Sequence, residues 1–323
     1  MSGTRPVTQK AFNSQKKAIE YKENMEKRIS NKSQEIQNLN KKDVESPNHA
    51  DANKKDKIVE RRQTAREADK PDTTLDKFFI EVALVTLFTL RFFKEVFRPR
   101  FEVNETLKQS FLMGYASLPL VAITGFIIGL VLTIQTRPTL AGLGAESWLP
   151  AMVAVSIIRE IGPVITALIF AGKVGSGIGA ELASMNVTQQ IDAMKVSGTN
   201  PFKFLVVTRI LAATLMLPLL VIFADMVGLL GSFVGCNLEG NVSTQLFFVQ
   251  IIESLDFEDL VPAVIKTFFF GFAVGLVGCY KGYNSDKGTE GVGQAANSAV
   301  VFASLMVFVI DMIAVQITSM LQS

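Results

Sequence analysis

The sequence predicts an all-α integral membrane protein in which transmembrane helices follow a long charged tail. Two observations lead to this prediction. Residues 1–70 hold 17 Lys/Arg and 11 Asp/Glu, a net charge of +6, but only two of the 29 aromatic residues. The rest of the chain holds 15 basic and 19 acidic residues and contains five apolar stretches, each long enough for the ~20 residues that span a bilayer. We therefore divide the chain into a tail, residues 1–73, and a membrane domain, residues 74–323.

The tail is predicted to be cytoplasmic and either disordered or loosely helical. Its Lys-, Glu-, Asn- and Gln-rich sequence cannot bury enough apolar surface to offset the entropy of ordering. Contact with anionic lipid, contact with a partner protein and a simply solvated tail all remain open. We expect no cleavable signal peptide, because the tail lacks an apolar core of roughly 7–15 residues. The one histidine, His49, lies in this tail, which excludes His-based catalysis in the membrane domain.

Residues 74–101 are predicted to form a helix that lies in the membrane interface. The longest charge-free run, from Val82 to Leu90, is too short to span. At 100° per residue, seven charged side chains fall within an arc of roughly 140° and bulky aromatic residues lie opposite, which is typical of an interfacial helix. A short spanning helix is the alternative. The charged residues are Asp76, Lys77, Glu81, Arg91, Lys94, Glu95 and Arg98.

Five transmembrane helices are predicted, and several carry informative residues. The first contains Gly125 and Gly129, a spacing that lets another helix approach closely, and is expected to end at Arg137–Pro138. The third contains Pro218 and Asp225, and the fifth contains Asp311. The spans are residues 110–136, 149–172, 204–234, 260–280 and 297–321; residues 237–259 are predicted to be a polar, acidic excursion between the third and fourth.

The second span has two adjacent charges, Arg159 and Glu160, near its middle. An ionisable residue at the bilayer centre costs about 2.5–3.5 kcal/mol on insertion scales, so such residues usually face a cavity or pair with one another. A role at a lumen and an interhelical pair with Asp225 or Asp311 both remain open. The following Gly162–Pro163 opens the helical hydrogen-bond ladder and leaves further polar groups nearby.

The second span leads into a polar connector, residues 173–201. Its glycine-rich start, AGKVGSGIGAE, lacks the spacing of a phosphate-binding loop, so we interpret it as close helix packing. With no ATP site in this chain, any use of ATP must come from a partner. A short helix from Thr188 to Lys195, capped by Asn186 or Thr188, offers Ile191 and Met194 as an apolar knob for a groove in another protein. A plain surface helix is the alternative.

Loop charge predicts the orientation. Lysines cluster in the connector and in the 281–288 loop, whereas the opposite side has only Arg137. By the positive-inside rule, the N-terminus, the connector and the 281–296 loop are cytoplasmic, and five spans then place the C-terminus outside.

Residues 156–201 resemble the permease subunits of MlaE-type ABC transporters, which include the plastid Tgd and actinobacterial Mce-associated lipid permeases. The matching motifs are REIGPV (159–164), ALIFAGKVGS (167–176), AEL (180–182) and TQQIDAM (188–194). The similarity extends from about residue 74 to the C-terminus through GFIIGLVLTIQ (125–135) and KGYNSDKGTEGV (281–292). The 140s loop departs from the family pattern at Arg137 and Pro138.

This resemblance implies a permease subunit of the bacterial inner membrane, with an N-terminal elbow helix and five spans. The implied partners are a second copy of the permease, a cytoplasmic ABC ATPase that holds ATP and Mg²⁺, a periplasmic MCE-domain protein and a phospholipid or related lipid. Catalytic residues, metals, cofactors and nucleic acid are not expected for this chain. The ATPase would dock on a coupling helix formed by Thr188, Gln189, Gln190, Ile191, Asp192, Ala193 and Met194. The lipid pocket would be lined by Leu132, Gln135, Arg159 and Glu160.

Two other functions compete with lipid transport. An ion- or proton-coupled secondary transporter would use Arg159, Glu160, Asp225 and Asp311 as a relay. Such transporters usually contain inverted repeats, and five spans do not split into matching halves. A non-transporting membrane scaffold has only the basic tail in its favour.

Overall fold

The structure is a computed structural model that describes residues 74–98, 102–238, 243–286 and 288–322. The predicted tail, residues 1–73, lies outside this description. The chain divides into two units, Met1–Leu90 and Arg91–Ser323. The described residues of the first unit are the start of one helix, and the second unit contains everything that follows. The described part of the chain forms helices and no strand, which confirms the all-α prediction.

Eight helices, numbered here along the described residues, make up the fold. Five of them, α2, α3, α5, α7 and α8, are long and apolar enough to cross a membrane, as predicted; in α7 and α8 the qualifying parts are Asp259–Tyr283 and Thr289–Met320. Helix α1 is not among these five, and its place in the membrane interface remains a prediction. The helices are α1 Thr74–Val96, α2 Val103–Gly142, α3 Glu146–Val187, α4 Gln190–Val196, α5 Phe202–Leu238, α6 Thr244–Ser254, α7 Phe257–Tyr283 and α8 Thr289–Gln322.

The long helices extend beyond the predicted spans. The prediction that α2 ends at Arg137–Pro138 is wrong, because the helix continues through Pro138 to Gly142. A proline removes only one backbone donor, and a long apolar helix tolerates that loss close to its end. The chain then turns at Gly144, whose φ of 68° is a conformation that glycine adopts at little cost. Helix α3 likewise continues well past residue 172, to Val187.

Glycines bring α2 and α5 into close contact, as the spacing of Gly125 and Gly129 predicts. A Cβ atom on Gly125 would lie 2.8 Å from the Ala224 carbonyl oxygen, and one on Gly129 would overlap the carbonyl oxygen of Gly228. A larger residue at either position would force the two helices apart. These small residues therefore set the spacing of α2 and α5.

The glycine-rich start of the connector packs against α7. A Cβ atom on Gly282 would lie 2.7 Å from the Gly179 carbonyl oxygen, and one on Gly278 would lie 3.0 Å from that of Gly175. The interpretation of this run as a close helix contact is thus confirmed for Gly175 and Gly179. The contact makes α3 and α7 a tightly packed pair.

The prediction of a polar excursion at residues 237–259 is wrong for residues 244–254. Residues 244–254 form helix α6, which buries Phe247 and Ile251 in an apolar cluster with Leu149, Val153 and Cys236. The sequence did not reveal this helix, because only two apolar side chains, four residues apart, attach one of its faces to the rest of the protein.

Within the second unit, the end of α1 contacts both α7 and the segment that leads from α4 into α5. Phe92 packs edge-on against Phe272 of α7, with ring centroids 5.5 Å apart. Asn200 donates a hydrogen bond to the Glu95 carboxylate at 3.3 Å, and Lys203 Nζ donates to the Arg98 carbonyl oxygen at 2.9 Å. The end of α1 and the segment that follows α4 are therefore joined.

Candidate functional site

Arg159 and Glu160 lie in a π-helical segment of α3, Ile157–Ile161, directly before Gly162 and Pro163. Such a segment adds one residue to a turn and is frequent at functional sites. Both side chains are half-exposed and both form ion pairs. Arg159 Nη1 lies 3.2 Å from Asp259 Oδ1, and Glu160 Oε2 accepts a hydrogen bond from Lys266 Nζ at 2.6 Å.

Lys266 of α7 is the centre of this charged cluster. Its side chain is only 5% exposed, and Nζ also donates a hydrogen bond to Asp311 Oδ1 at 3.0 Å. Lys266 thereby joins Glu160 of α3 and Asp311 of α8 to α7, while the Arg159–Asp259 pair makes a second link between α3 and α7. We call these five residues the Lys266 cluster. It has three carboxylates and two cations, so it carries one negative charge when all five are ionised.

Sequence reasoning anticipated part of this cluster and missed its centre. A direct pair between an α3 charge and Asp311 was one of the alternatives left open, but Lys266 lies between Glu160 and Asp311. Lys266 and Asp259 were not considered, although a lysine within an apolar span is a signal of a functional or paired residue. The single lysine in the predicted span 260–280 could have been found in this way.

Two other predicted pocket residues are placed elsewhere. Leu132 packs against the apolar cluster that contains Leu149 and Phe247. Gln135 is exposed on α2, one turn farther along. Neither lines the small cavity beside Arg159 and Glu160. The assignment of these four residues to one lipid pocket therefore remains a prediction.

A second buried cation, Arg209 of α5, was also missed. Its side chain is 2% exposed; Nη2 donates a hydrogen bond to Glu181 Oε1 at 2.7 Å, and Nη1 donates to the Leu205 carbonyl oxygen at 3.0 Å. Glu181 lies near the end of α3 and is 47% exposed. The pair therefore joins the end of α3 to the start of α5, which are the two helices on either side of α4.

The short helix predicted from Thr188 to Lys195 is present as α4, Gln190–Val196, and its role in coupling to an ATPase remains a prediction. Helix α4 begins at Gln190, after Gln189 turns the chain with a φ of 60°. The predicted cap is wrong: α4 has no side-chain cap, Asn186 Nδ2 donates instead to the Ser285 carbonyl oxygen, and the Thr188 hydroxyl donates to that of Ser184.

The apolar knob predicted on α4 is only partly available. Ile191 is 3% exposed and is buried within this chain, while Met194 is half-buried. Ile191 thus attaches α4 to the membrane domain. The outward surface is formed by Thr188, Gln189, Gln190, Asp192 and Ala193, all of which are exposed. Next to them, Lys195 donates a hydrogen bond to Asp192 at 2.7 Å, and this bond raises the pKa of Lys195.

Comparison with known proteins identifies the family. The family model described as Permease MlaE matches residues 106–317. This chain belongs to the MlaE permease family. A probable ABC transporter permease protein of Rickettsia typhi is 35% identical over 233 residues, which cover 72% of this chain and 90% of the relative. The intermembrane phospholipid transport system permease protein MlaE of Haemophilus influenzae is 34% identical over 209 residues, or 64% and 80% of the two chains.

For an MlaE-family ABC permease, the secondary-transporter alternative is not favoured. The intramembrane residues proposed for an ion relay are mostly in ion pairs that join helices: Arg159 with Asp259, and Glu160 and Asp311 with Lys266.

A probable ABC transporter permease protein of Synechocystis is also similar, 30% identical over 236 residues that cover 73% of this chain and 90% of the relative. The resemblance inferred from the motifs at residues 156–201 is therefore confirmed.

Proposed function

We propose that this permease moves phospholipid or a related lipid between the bacterial inner membrane and a periplasmic MCE-domain protein. The observation that carries the proposal is the family match at residues 106–317, which covers three of the five spans completely and most of the first and the last. A relative from Haemophilus influenzae is named as a phospholipid transport permease. The exposed apolar side chains of the long helices suit contact with the acyl chains of a lipid.

Helix α4 is the proposed docking surface for a separate cytoplasmic ATPase, which would bind ATP and Mg²⁺. Its outward face is polar and exposed, whereas Ile191 holds its inner face against the membrane domain. A movement of α4 would be transmitted to the end of α3 through Gln189, a residue in the left-handed conformation. From Asn186 at the end of α3, the hydrogen bond to the Ser285 carbonyl oxygen would transmit it to the loop before α8. This arrangement supports transmission from the ATPase to the spans.

The Lys266 cluster is proposed to hold α3, α7 and α8 in register beside the lipid path. Arg159 and Glu160 are half-exposed even though both are paired, so each retains a face toward its surroundings. In the proposed homodimer, these faces and those of Leu132 and Gln135 would line or support a lipid pocket between the two copies. The proposed orientation places the N-terminus and α4 in the cytoplasm and the C-terminus in the periplasm.

Charge introduced on the outward face of α4 tests this proposal. The double variant Gln190→Arg and Ala193→Arg should release the ATPase, because both positions are exposed and neither supports the fold. Leu143→Arg is the matched control, since Leu143 is exposed beyond the far end of α2. The measurements are retention of the ATPase on the purified permease and ATP-dependent transfer of a fluorescent phospholipid from nanodiscs to a soluble MCE domain.

We expect the control to retain the ATPase, and the double variant to lose both the ATPase and ATP-dependent lipid transfer while remaining folded. Normal retention of the ATPase by the double variant would remove α4 from the docking surface. Transfer that proceeds equally without ATP or without the ATPase would overturn the assignment of this chain to ATP-driven lipid transport.

A further inference from the structure

A cavity of about 300 Å³ lies between α3, α5 and α7, and none of the residues of the Lys266 cluster lines it. Its wall is apolar, with side chains that include Ile158, Val221, Ile222, Met226, Leu229 and Val264. Apolar cavities of roughly 150 Å³ already bind a benzene-sized molecule. This cavity is therefore large enough for a substantial part of a hydrocarbon chain.

Two polar side chains, Asp225 and Thr267, line the cavity. The Thr267 hydroxyl donates a hydrogen bond to the Val264 carbonyl oxygen at 2.6 Å, so its proton is already used. Asp225 differs: its Oδ1 atom is buried and has no hydrogen-bond partner among the described residues. The nearby cation Lys266 is already engaged by Glu160 and Asp311.

The chain makes specific room for the Asp225 carboxyl group. A Cβ atom on Gly162 would overlap Asp225 Oδ1, so only glycine at this position lets the carboxyl group lie against α3. Burial of a carboxyl oxygen without a hydrogen-bond partner favours the neutral acid, because the ionised form would lose its solvation without compensation. A neutral carboxylic acid keeps one O–H donor. The cavity therefore combines an apolar wall with one carboxyl group that can donate a hydrogen bond as the neutral acid.

We propose that this cavity binds one acyl chain of a lipid, with the Asp225 carboxyl group donating a hydrogen bond to the ester carbonyl oxygen at the head of that chain. This inference deepens, and rests on, the proposed function in lipid transport. It assigns a subsite within a single copy of the permease, separate from the residues predicted to line a pocket between two copies.

The lining selects this ligand over the other parts of a lipid. A phosphate or ammonium headgroup would need charged partners, and the cavity wall offers none besides the neutral acid. An ester carbonyl is an acceptor without a donor, which matches a single O–H group. The rim residues Ile222, Met226 and Leu260 are exposed on helices long and apolar enough to span, so a chain could enter sideways from the hydrocarbon layer.

Photoreactive lipids provide the test. The complete permease is placed in nanodiscs containing a trace of phospholipid with a diazirine near the head of one acyl chain. The same lipid is made in two forms, one with an ester and one with an ether linkage to that chain. Mass spectrometry measures the label on residues 218–229 and 260–267. The ester form should give about fivefold more label than the ether form, which is the effect of one net hydrogen bond of about 1 kcal/mol.

Four variants make the result specific. Asp225→Leu should remove the difference between the ester and ether lipids, whereas Asp225→Asn should keep it because an amide also donates a hydrogen bond. Val264→Phe fills the cavity and should reduce the label from both lipids. Ile265→Phe, at the neighbouring exposed position of the same helix, should leave it unchanged. If Asp225→Leu fails to fold, the comparison of Val264→Phe with Ile265→Phe still decides whether the cavity is occupied.

Equal labelling by ester and ether lipids in the unaltered protein would overturn the role of Asp225. Label that is insensitive to Val264→Phe, or cross-links from the cavity to a second copy of the chain instead of to lipid, would overturn the acyl-chain site. Labelling needs neither ATP nor the ATPase, so failure of this site and failure of ATP-driven transfer are separate results.

Discussion

The two cations that are buried among the described residues, Lys266 and Arg209, are held in different ways. Lys266 is shared by two carboxylates on two other helices, Glu160 and Asp311, which are 39% and 19% exposed. Arg209 has one carboxylate, Glu181, which is 47% exposed, and takes its second acceptor from its own helix. Loss of Lys266 would strand two acids among packed helices, whereas loss of Arg209 would strand one acid that water can reach.

The difference indicates that Lys266 is a structural centre and Arg209 a local link. Removing one partner of a buried ion pair usually lowers the free energy of unfolding by more than the intact pair contributes to it, because the remaining charge is buried without a partner. That penalty depends on how well the remaining charge is solvated. The cost of each substitution should therefore follow the number and the burial of the carboxylates left behind, and three predictions follow this order.

Lys266→Met should have the largest effect. It leaves Glu160 and Asp311 close together without their shared cation, and we expect the free energy of unfolding to fall by about 3–5 kcal/mol. Denaturant titration in mild detergent measures this loss. Lys195→Met is the control, because the Lys195–Asp192 pair is exposed on both sides and such pairs contribute little.

A triple variant checks that stranded charge is the cause. Adding Glu160→Gln and Asp311→Asn to Lys266→Met should recover most of the lost stability, since no charge then remains unpaired at this position. Equal stability of Lys266→Met and Lys195→Met would show that the Lys266 cluster does not hold the helices together.

The contrast between these two regions also shows what the sequence could and could not predict. Five spans and the close glycine contacts follow from local properties, namely apolar length and the spacing of small residues, as Gly125 and Gly129 illustrate. Helix α6 was missed because Phe247 and Ile251 are buried only by residues distant in sequence.

Ion-pair partners were the least predictable part of the site. Arg159 and Glu160 are conspicuous within an apolar span, but their partners Asp259 and Lys266 lie about 100 residues later along the chain. Nothing local specifies such a pairing. The same limit explains Ile191, whose apolar character was correctly noted but whose burial against its own chain depends on tertiary packing.

Arg209→Met should have an intermediate effect. Glu181 keeps access to water after the change, and the substitution also removes the Arg209 Nε donor, which is buried without a hydrogen-bond partner among the described residues. We therefore expect a loss of about 1–2 kcal/mol, below the usual range for a fully buried pair. Thermal unfolding of Arg209→Met and Lys266→Met under the same conditions shows which variant is less stable. A larger loss of stability for Arg209→Met would contradict the view that Lys266 is the structural centre.

The smallest effects should come from Glu160→Gln and Asp311→Asn made singly. Lys266 keeps one carboxylate in either variant, so each change should cost about 1 kcal/mol, the size of one net hydrogen bond, and the double change should cost clearly more than the sum. Asp311→Asn should unfold at the lower denaturant concentration, because Asp311 is the more buried acid. Glu160→Gln should instead impair lipid transfer in nanodiscs, since Glu160 keeps a half-exposed face in the proposed pocket. If Glu160→Gln transfers lipid normally and unfolds before Asp311→Asn, Glu160 is a structural residue and its assignment to the pocket is wrong.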